Sequence, residues 1–261
     1  MTIRVGVFGA GGRMGRTVCE AVAGDAELEL VGGSDPAHEG TPVPAAAPGL
    51  TIDASAGSLL ERGVDVVVDF THLEAARDNI ARAAAAGAHA VVGTTGWSDD
   101  DYVRLRAAFT ASNCIVAPNF AIGAVLMMRF AEMAAPWFET AEVIELHHDQ
   151  KLDAPSGTAV RTVERLAAAS SDWGSDPTRT ETVPGARGAA GPGGIHVHSV
   201  RLRGLVAHQE VLLGTTGQSL SIRHDSYDRT SFMPGVLLAV KQVAQHPGLT
   251  IGLDPLLSLD P

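Results

Sequence analysis

The sequence predicts an α/β fold: a doubly wound parallel-sheet domain and an α+β domain with a mixed sheet. Two patterns carry this. Through the first 120 residues, short runs of Val, Ile and Ala alternate with apolar-periodic segments of helical length. Strands that read as continuous apolar runs are buried on both faces, as in a parallel sheet covered by crossover helices. After Asn119 the order changes to a long helical pattern followed by strands in succession with turn residues between them, which suggests an antiparallel or mixed sheet.

In order, a strand over 3–9 (IRVGVFG) leads through a glycine turn into a helix from Arg13 to about Ala23, and LELVGGSD (28–35) is the second strand. The stretch 36–49, rich in Pro, Gly and Ala and without periodicity, reads as a loop. VDVVVDFT (64–71) precedes a helix from Leu73 to Ala86, AHAVVGTTG (88–96) precedes a helix from Asp99 to Ser112, and CIVAPNF (114–120) is the next strand. A helix over about 122–138, a strand AEVIELHH (141–148) and a helix from Ser156 follow. Residues 170–194, dense in Ser, Gly, Pro and Asp, predict a mobile surface loop. The strands IHVHSVRLRG (195–204), AHQEVLLG (207–214) and QSLSIRHDS (218–226) come next, with GTTG (214–217) as the hairpin turn between the last two. A C-terminal helix tolerates Pro234 in its first turn. The expected division is residues 1–119, completed by 231–261, and residues 120–230.

The 261 residues carry a formal charge of −11, which repels phosphate backbones and anionic lipids and argues against nucleic-acid or membrane partners. An anionic ligand would need a locally positive pocket. Cys19 and Cys114 lie among apolar residues without metal-type spacing and read as reduced core thiols. With no basic-then-apolar leader and no membrane-length apolar run, a soluble, cytoplasmic protein is expected.

GAGGRMG places Gly9, Gly12 and Gly15 between a strand and a helix. These positions suit a tight turn, close approach of a pyrophosphate and close helix–strand packing, the Rossmann-type dinucleotide signature. Asp35, twenty positions after Gly15 at the end of the second strand, is placed to bind the ribose hydroxyls. Pro36 and Ala37 follow it, with no basic residue, which favours NADH over NADPH; Arg13 in the turn keeps use of both open. GTTG (93–96) and APNF (117–120) fall at carboxyl ends of parallel strands, where a nicotinamide would rest, although ordinary turn chemistry explains either alone.

The densest polar segment is ELHHDQKLDAPSGTA (145–159). His147 and His148 end a strand, so their side chains point to opposite faces. Lys151 adds a positive charge, Ser156 is a natural N-cap, and the amides near Gly157 and Thr158 open a helix. Together they suit a carboxylate-bearing substrate and a proton donor beside a nicotinamide; a capped helix behind a solvated loop is the competing account. A metal site drawn from His147, His148, Asp153, His196 and His198 has no recognised ligand spacing, so no metal is expected. His196 and His198 share a strand face and suit a surface or subunit contact.

These motifs resemble 4-hydroxy-tetrahydrodipicolinate (dihydrodipicolinate) reductases along essentially the whole chain. ELHHDQKLDAPSGTA is the most specific match; GAGGRMG, DFT (69–71), GTTG and APNFAIGA match in order, and GLVAHQEVLLGT and IRHDSYDRTSF resemble actinobacterial members. The resemblance implies that hydride from NAD(P)H reduces a cyclic dicarboxylate with loss of its 4-hydroxyl as water, in the diaminopimelate route to lysine. It implies His147 as proton donor or acceptor and Lys151 as a second donor, with His148, Gly157 and Thr158 on the substrate. Gly9, Ala10, Gly11, Gly12, Arg13, Met14, Asp35, Gly93, Thr94, Thr95, Ala117, Pro118, Asn119 and Phe120 would hold the dinucleotide. It further implies a homotetramer built through the second domain's sheet. Because Pro36 follows the acid, NADH is expected to serve at least as well as NADPH. A dehydrogenase for another small acid and a non-catalytic dinucleotide sensor are the alternatives; a sensor needs no proton donors.

Overall fold

The computed structural model describes residues 2–258, and the chain divides into two compact units, Met1–Phe120 with Arg229–Pro261, and Ala121–Asp228. The first begins β1 (Ile3–Phe8), α1 (Arg13–Ala23), β2 (Leu28–Ser34), α2 (Ala56–Leu60), β3 (Val66–Asp69), α3 (Leu73–Ala85), β4 (His89–Val92), α4 (Asp99–Ala108) and β5 (Cys114–Val116). The second unit holds α5 (Ile122–Ala134), β6 (Thr140–His147), α6 (Gly157–Ala169), β7 (Ala189–Ala190), β8 (His196–Arg201), β9 (Ala207–Thr215) and β10 (Gln218–Ser226). The chain then returns to the first unit with α7 (Met233–Gln242) and β11 (Leu249–Ile251).

The first unit is an all-parallel six-stranded sheet, β11-β5-β4-β3-β1-β2. Its strands are Val-rich because both faces are covered: α1 packs with α7, while α2 and α4 each pack against α3. Gly15, Val18, Cys19 and Val22 form the buried stripe of α1 at helical spacing. Leu59, Ile80, Leu105 and Phe109 join Phe8, Val67, Val92 and Val116 in one apolar cluster, and each such side chain taken fully out of water contributes roughly 1.5–3 kcal/mol. The chain goes from β1 to β2 on one side and crosses to β3 on the other. That reversal opens a crevice at the strands' carboxyl ends.

The second unit is a five-stranded sheet, β10-β9-β6-β8-β7, in which β6 and β8 are parallel and the other pairs antiparallel. The expected mixed sheet is present. One face packs on helices: Val143, Glu145, Val197, Val211 and Leu213 are buried beneath α5 and α6, whose Ala159, Val163 and Leu166 point inward. The hairpin turn narrows to Thr216 and Gly217, with Gly217 at φ +81°, a left-handed conformation that favours glycine.

Several elements depart from expectation. The long helix of the second unit stops at Ala134 and tightens into a 3₁₀ turn through Trp137 around Pro136, whose missing N–H cannot continue the α ladder. The helix expected to reach Ser112 ends at Ala108. Two short elements, α2 and β11, carry no periodic signal, and the two-residue β7 lies inside the 170–194 segment. That segment is tied down: Arg187 donates to Glu142 at 2.6 Å and to Asp176 at 3.2 Å, and Glu181 accepts from the amides of Gly185 and Arg187.

Candidate active site

In the first unit, a crevice of about 640 Å³ lies at the switch between β1 and β3. Its lining includes Gly9, Gly12, Ser34, Asp35, Ala54, Ser55, Phe70, Thr71 and Asn79. Gly9 sits at φ +73°, and a Cβ on Gly15 would fall 2.0 Å from the Gly9 carbonyl oxygen, so α1 leaves the turn closer than any side chain allows. The turn is fastened to β2: Gly9 N donates to Ser34 O at 2.7 Å and Gly11 N to Asp35 Oδ2 at 3.2 Å. Arg16 Nε donates to Gly11 O at 2.9 Å. Arg13 and Met14 open α1, with Arg13 exposed. Bare glycine backbone, a helix N-terminus and a carboxylate at the end of β2 fit the adenosine and pyrophosphate part of a dinucleotide.

Gly93–Thr95 and Ala117–Phe120 follow β4 and β5 on the same sheet edge, outside the crevice lining. Phe70 connects the two regions: its ring lies where a side chain on Gly93 would stand and is 5.7 Å from the ring of Phe120. Beneath them is Asp69, fully buried. Its Oδ1 accepts from Thr71 N at 3.0 Å, Thr71 Oγ1 at 2.8 Å and Thr94 Oγ1 at 2.7 Å, and its Oδ2 from Asn79 Nδ2 at 3.0 Å. One carboxylate thus fixes the loops after β3 and β4. Trp97 Nε1 anchors the second loop on Thr94 O at 2.7 Å. Phe70, Thr71 and the Ala54–Ser55 corner were not singled out as site residues by the sequence, although the end of a third parallel strand would have indicated the first two.

In the second unit the centre is Glu145, 0% exposed on the helix-facing side of β6. Arg201 of β8 grips it with two parallel bonds, Nη1 to Oε2 at 2.9 Å and Nη2 to Oε1 at 2.8 Å, the bidentate geometry that suits guanidinium and carboxylate. Ser156 N also donates to Oε1, at 3.2 Å, and His147 Nδ1 lies 2.5 Å from Oε2. Burial raises the Glu145 pKa, but hydrogen bonds from Arg201, Ser199 and His147 outweigh it and hold the group below the ordinary carboxylate value. It is therefore an acceptor, and His147 donates its Nδ1–H to it, leaving Nε2 with a lone pair. Burial also lowers the His147 pKa; the Glu145 hydrogen bond opposes this, and the charges of Lys151 and Arg201 reinforce it.

Lys151 Nζ sits 2.7 Å from Asp153 Oδ1 and 2.8 Å from Oδ2. Arg201 Nη2 also donates to Asp153 O at 2.6 Å, so the loop after β6 is gathered around the same cation. The N-terminus of α6 adjoins this cluster. Ser156 caps it by accepting from Ala159 N at 3.2 Å, and a side chain on Gly157 would meet nothing within 4 Å. At Gly157 the first turn opens onto free space at the positive end of the helix dipole. His148 is exposed and its Nδ1 accepts from Gln150 N at 3.2 Å, so its ring lies apart from the Glu145 network. The sequence missed Glu145 and Arg201, the two residues that organise the rest. His196 and His198 turn to the opposite sheet face, near Asp176 and Glu142 respectively.

Comparison with known proteins gives a concordant result. The family models described as "Dihydrodipicolinate reductase, N-terminus" and "Dihydrodipicolinate reductase, C-terminus" match residues 3–120 and 123–257. Relatives named 4-hydroxy-tetrahydrodipicolinate reductase include one from Nocardia farcinica, 51% identical over 99% of this chain and 100% of its own length. Another, from Corynebacterium aurimucosum, is 49% identical with the same coverage. A solved dihydrodipicolinate reductase from Paenisporosarcina sp. TG-14, described as dipicolinate-bound, is 40% identical with a TM-score of 0.87 over 98% of this chain and 99% of that one. An amine dehydrogenase from Mycobacterium smegmatis, 14% identical with a TM-score of 0.62 over 96% of this chain and 95% of its own, shares the fold alone. The chain belongs to the dihydrodipicolinate reductase family.

Proposed function

We propose that this chain reduces 4-hydroxy-tetrahydrodipicolinate to tetrahydrodipicolinate with NAD(P)H, releasing water, in the diaminopimelate route to lysine. The observation that carries the reading is the cluster of His147, Lys151 and the α6 N-terminus around the Glu145–Arg201 pair, in a chain about half identical to reductases of that name. NAD(P)H, when bound, supplies the hydride. This chain's residues supply charge, position and protons. One substrate carboxylate takes the open first turn of α6 at Gly157 and Thr158, with Lys151 as the cation beside it. The 4-hydroxyl leaves as water together with a proton lost from the adjacent ring carbon of the substrate, and Lys151 delivers the single proton that balances the hydride. His147, neutral and fixed through Nδ1, offers Nε2 to accept or relay a proton. His148 contacts the substrate from the loop.

Gly9 to Met14 and Asp35 take the adenosine and pyrophosphate, and Gly93–Thr95 with Ala117–Phe120 the nicotinamide end. NADH serves at least as well as NADPH, because a carboxylate stands where the adenosine ribose is read. A homotetramer through the sheet of the second unit, in the cytoplasm, completes the reading. Its support is the face turned away from α5 and α6, where half-buried Ile144, Leu146, Val200 and Leu212 stand among charged neighbours. Among the described residues, no helix is long and apolar enough to cross a membrane.

The test is the loss of nicotinamide absorbance when purified protein meets 4-hydroxy-tetrahydrodipicolinate. Turnover with NADH is expected; cofactor binding without turnover would favour the sensor alternative, and turnover only with another small acid the dehydrogenase alternative. Sedimentation should give four times the chain mass, and a monomer at working concentration would remove the tetramer.

A further inference from the structure

Gln209 stands on the helix-facing side of β9, directly opposite Glu145 of β6, on a face that otherwise carries Val143, Val211 and Leu213. It is 4% exposed, and Thr162 of α6, which it meets, is 0% exposed. Gln209 Nε2 donates to Thr162 Oγ1 at 2.7 Å, and Thr162 Oγ1 donates its only proton to Thr158 O at 2.8 Å. The other end of the amide is unpaired: Gln209 Oε1 is buried and has no hydrogen-bond partner among the described residues. A buried acceptor without a partner destabilises a fold, and a methionine of similar volume would avoid that loss. Stability therefore does not account for a glutamine at this position.

We propose that Gln209 is a positioning residue for the substrate carboxylate: acting through Thr162, it fixes the turn of α6 that presents the Gly157 and Thr158 amides. The proposal rests on reading the α6 N-terminus as the carboxylate site. Ala159, Val163 and Leu166 hold α6 on the sheet by apolar contact, which is non-directional and leaves a helix free to slide or roll slightly. Hydrogen bonds set its register. Ser156 N is fastened to Glu145 on β6, and Thr162, six residues on, is fastened to Gln209 on β9. That spacing is about 9 Å along the helix axis, so the two bonds fix both the height of α6 and its rotation. Gly157 and Thr158 lie between them. The Thr162 hydroxyl also holds the Thr158 carbonyl, so the bond from Gln209 reaches the first turn through a single side chain.

Equilibrium titration of the full-length protein with dipicolinate, at saturating NADH, tests this beside urea unfolding and NADH binding. Gln209→Met keeps the volume and removes both the bond and the unpaired acceptor. It is expected to weaken dipicolinate by about fivefold, the scale of one neutral hydrogen bond, while the unfolding midpoint holds or rises and NADH affinity is unchanged. Thr162→Val should weaken dipicolinate by a similar factor, and Thr162→Ser, which keeps the hydroxyl, should bind it as the wild type does. The double variant Gln209→Met with Thr162→Val should lose no more than either alone, as for two residues acting through one contact. Unchanged dipicolinate affinity in Gln209→Met overturns the proposal, and so do losses that multiply in the double variant. A lower midpoint with equal weakening of NADH also overturns it, because Gln209 would then only support the fold. Wild-type protein that does not bind dipicolinate removes the carboxylate reading of α6 itself, a result distinct from the others.

Discussion

Replacing Arg201 with methionine is expected to lower the stability of the second unit by about 2–4 kcal/mol, measured by urea unfolding at neutral pH, and to raise the His147 pKa. Removing one partner of a buried ion pair typically costs about 3–5 kcal/mol because a charge is left uncompensated. The lower range allows for the 21% exposure of the Arg201 side chain. Glu145, fully buried, would keep Ser156 N, Ser199 and His147 as partners but lose its paired guanidinium. The pKa effect follows from the same loss: Arg201 disfavours the His147 cation directly, and a carboxylate released from its guanidinium stabilises the imidazolium more strongly. Arg201→Lys should recover only part, since an ammonium cannot reproduce the paired bonds. Combining Arg201→Met with Glu145→Gln should restore much of the stability without the activity. A neutral effect of Arg201→Met on both stability and pH profile would show that the pair does not organise the site.

His147→Gln is expected to reduce kcat by about 10²-fold or more, the range of a positioned acid–base group, while NADH affinity stays unchanged. Lys151→Ala should lower kcat and raise KM together, because the same ammonium is assigned to a carboxylate and to the proton. The pH dependence has a definite sign. The folded-state pKa of His147 lies below its ordinary value of 6.5, so as pH falls below about 6.5 the unfolded chain takes up this proton first. Its stability contribution is therefore lost on acidification through that window and is flat above it. His147→Gln should flatten this part of the stability profile. Full activity in both variants would mean that the chemistry lies elsewhere.

The buried half of the parallel sheet was readable because burial on both faces writes itself as runs such as Val66–Val68, and because Gly9, Gly12 and Gly15 answer a local backbone demand. Asp35 was readable for the same reason, by its distance from the turn along one strand–helix–strand unit. The elements that escaped have no local signature. Five-residue α2 is held by the Ser55 cap and by packing of Leu59, and β11 exists because Leu249–Ile251 pairs with β5. The centre of the candidate site escaped for a related reason. Glu145 and Arg201 are 56 positions apart, and they meet only because β6 and β8 run parallel with His147 opposite Arg201. Strand order and register decide that contact, and the alternation of either strand alone is silent about it.

Calorimetric titration with dipicolinate, a planar dicarboxylate, in the presence of saturating NADH tests the central claim most directly. Wild-type protein should bind it, Lys151→Ala should weaken it by about tenfold or more, as expected for loss of a charge-assisted contact, and Gly157→Val should abolish it by closing the open turn of α6, with NADH affinity unchanged in both. Undiminished dipicolinate binding in both variants would contradict the account, because the dicarboxylate would then be held by groups other than Lys151 and the helix N-terminus.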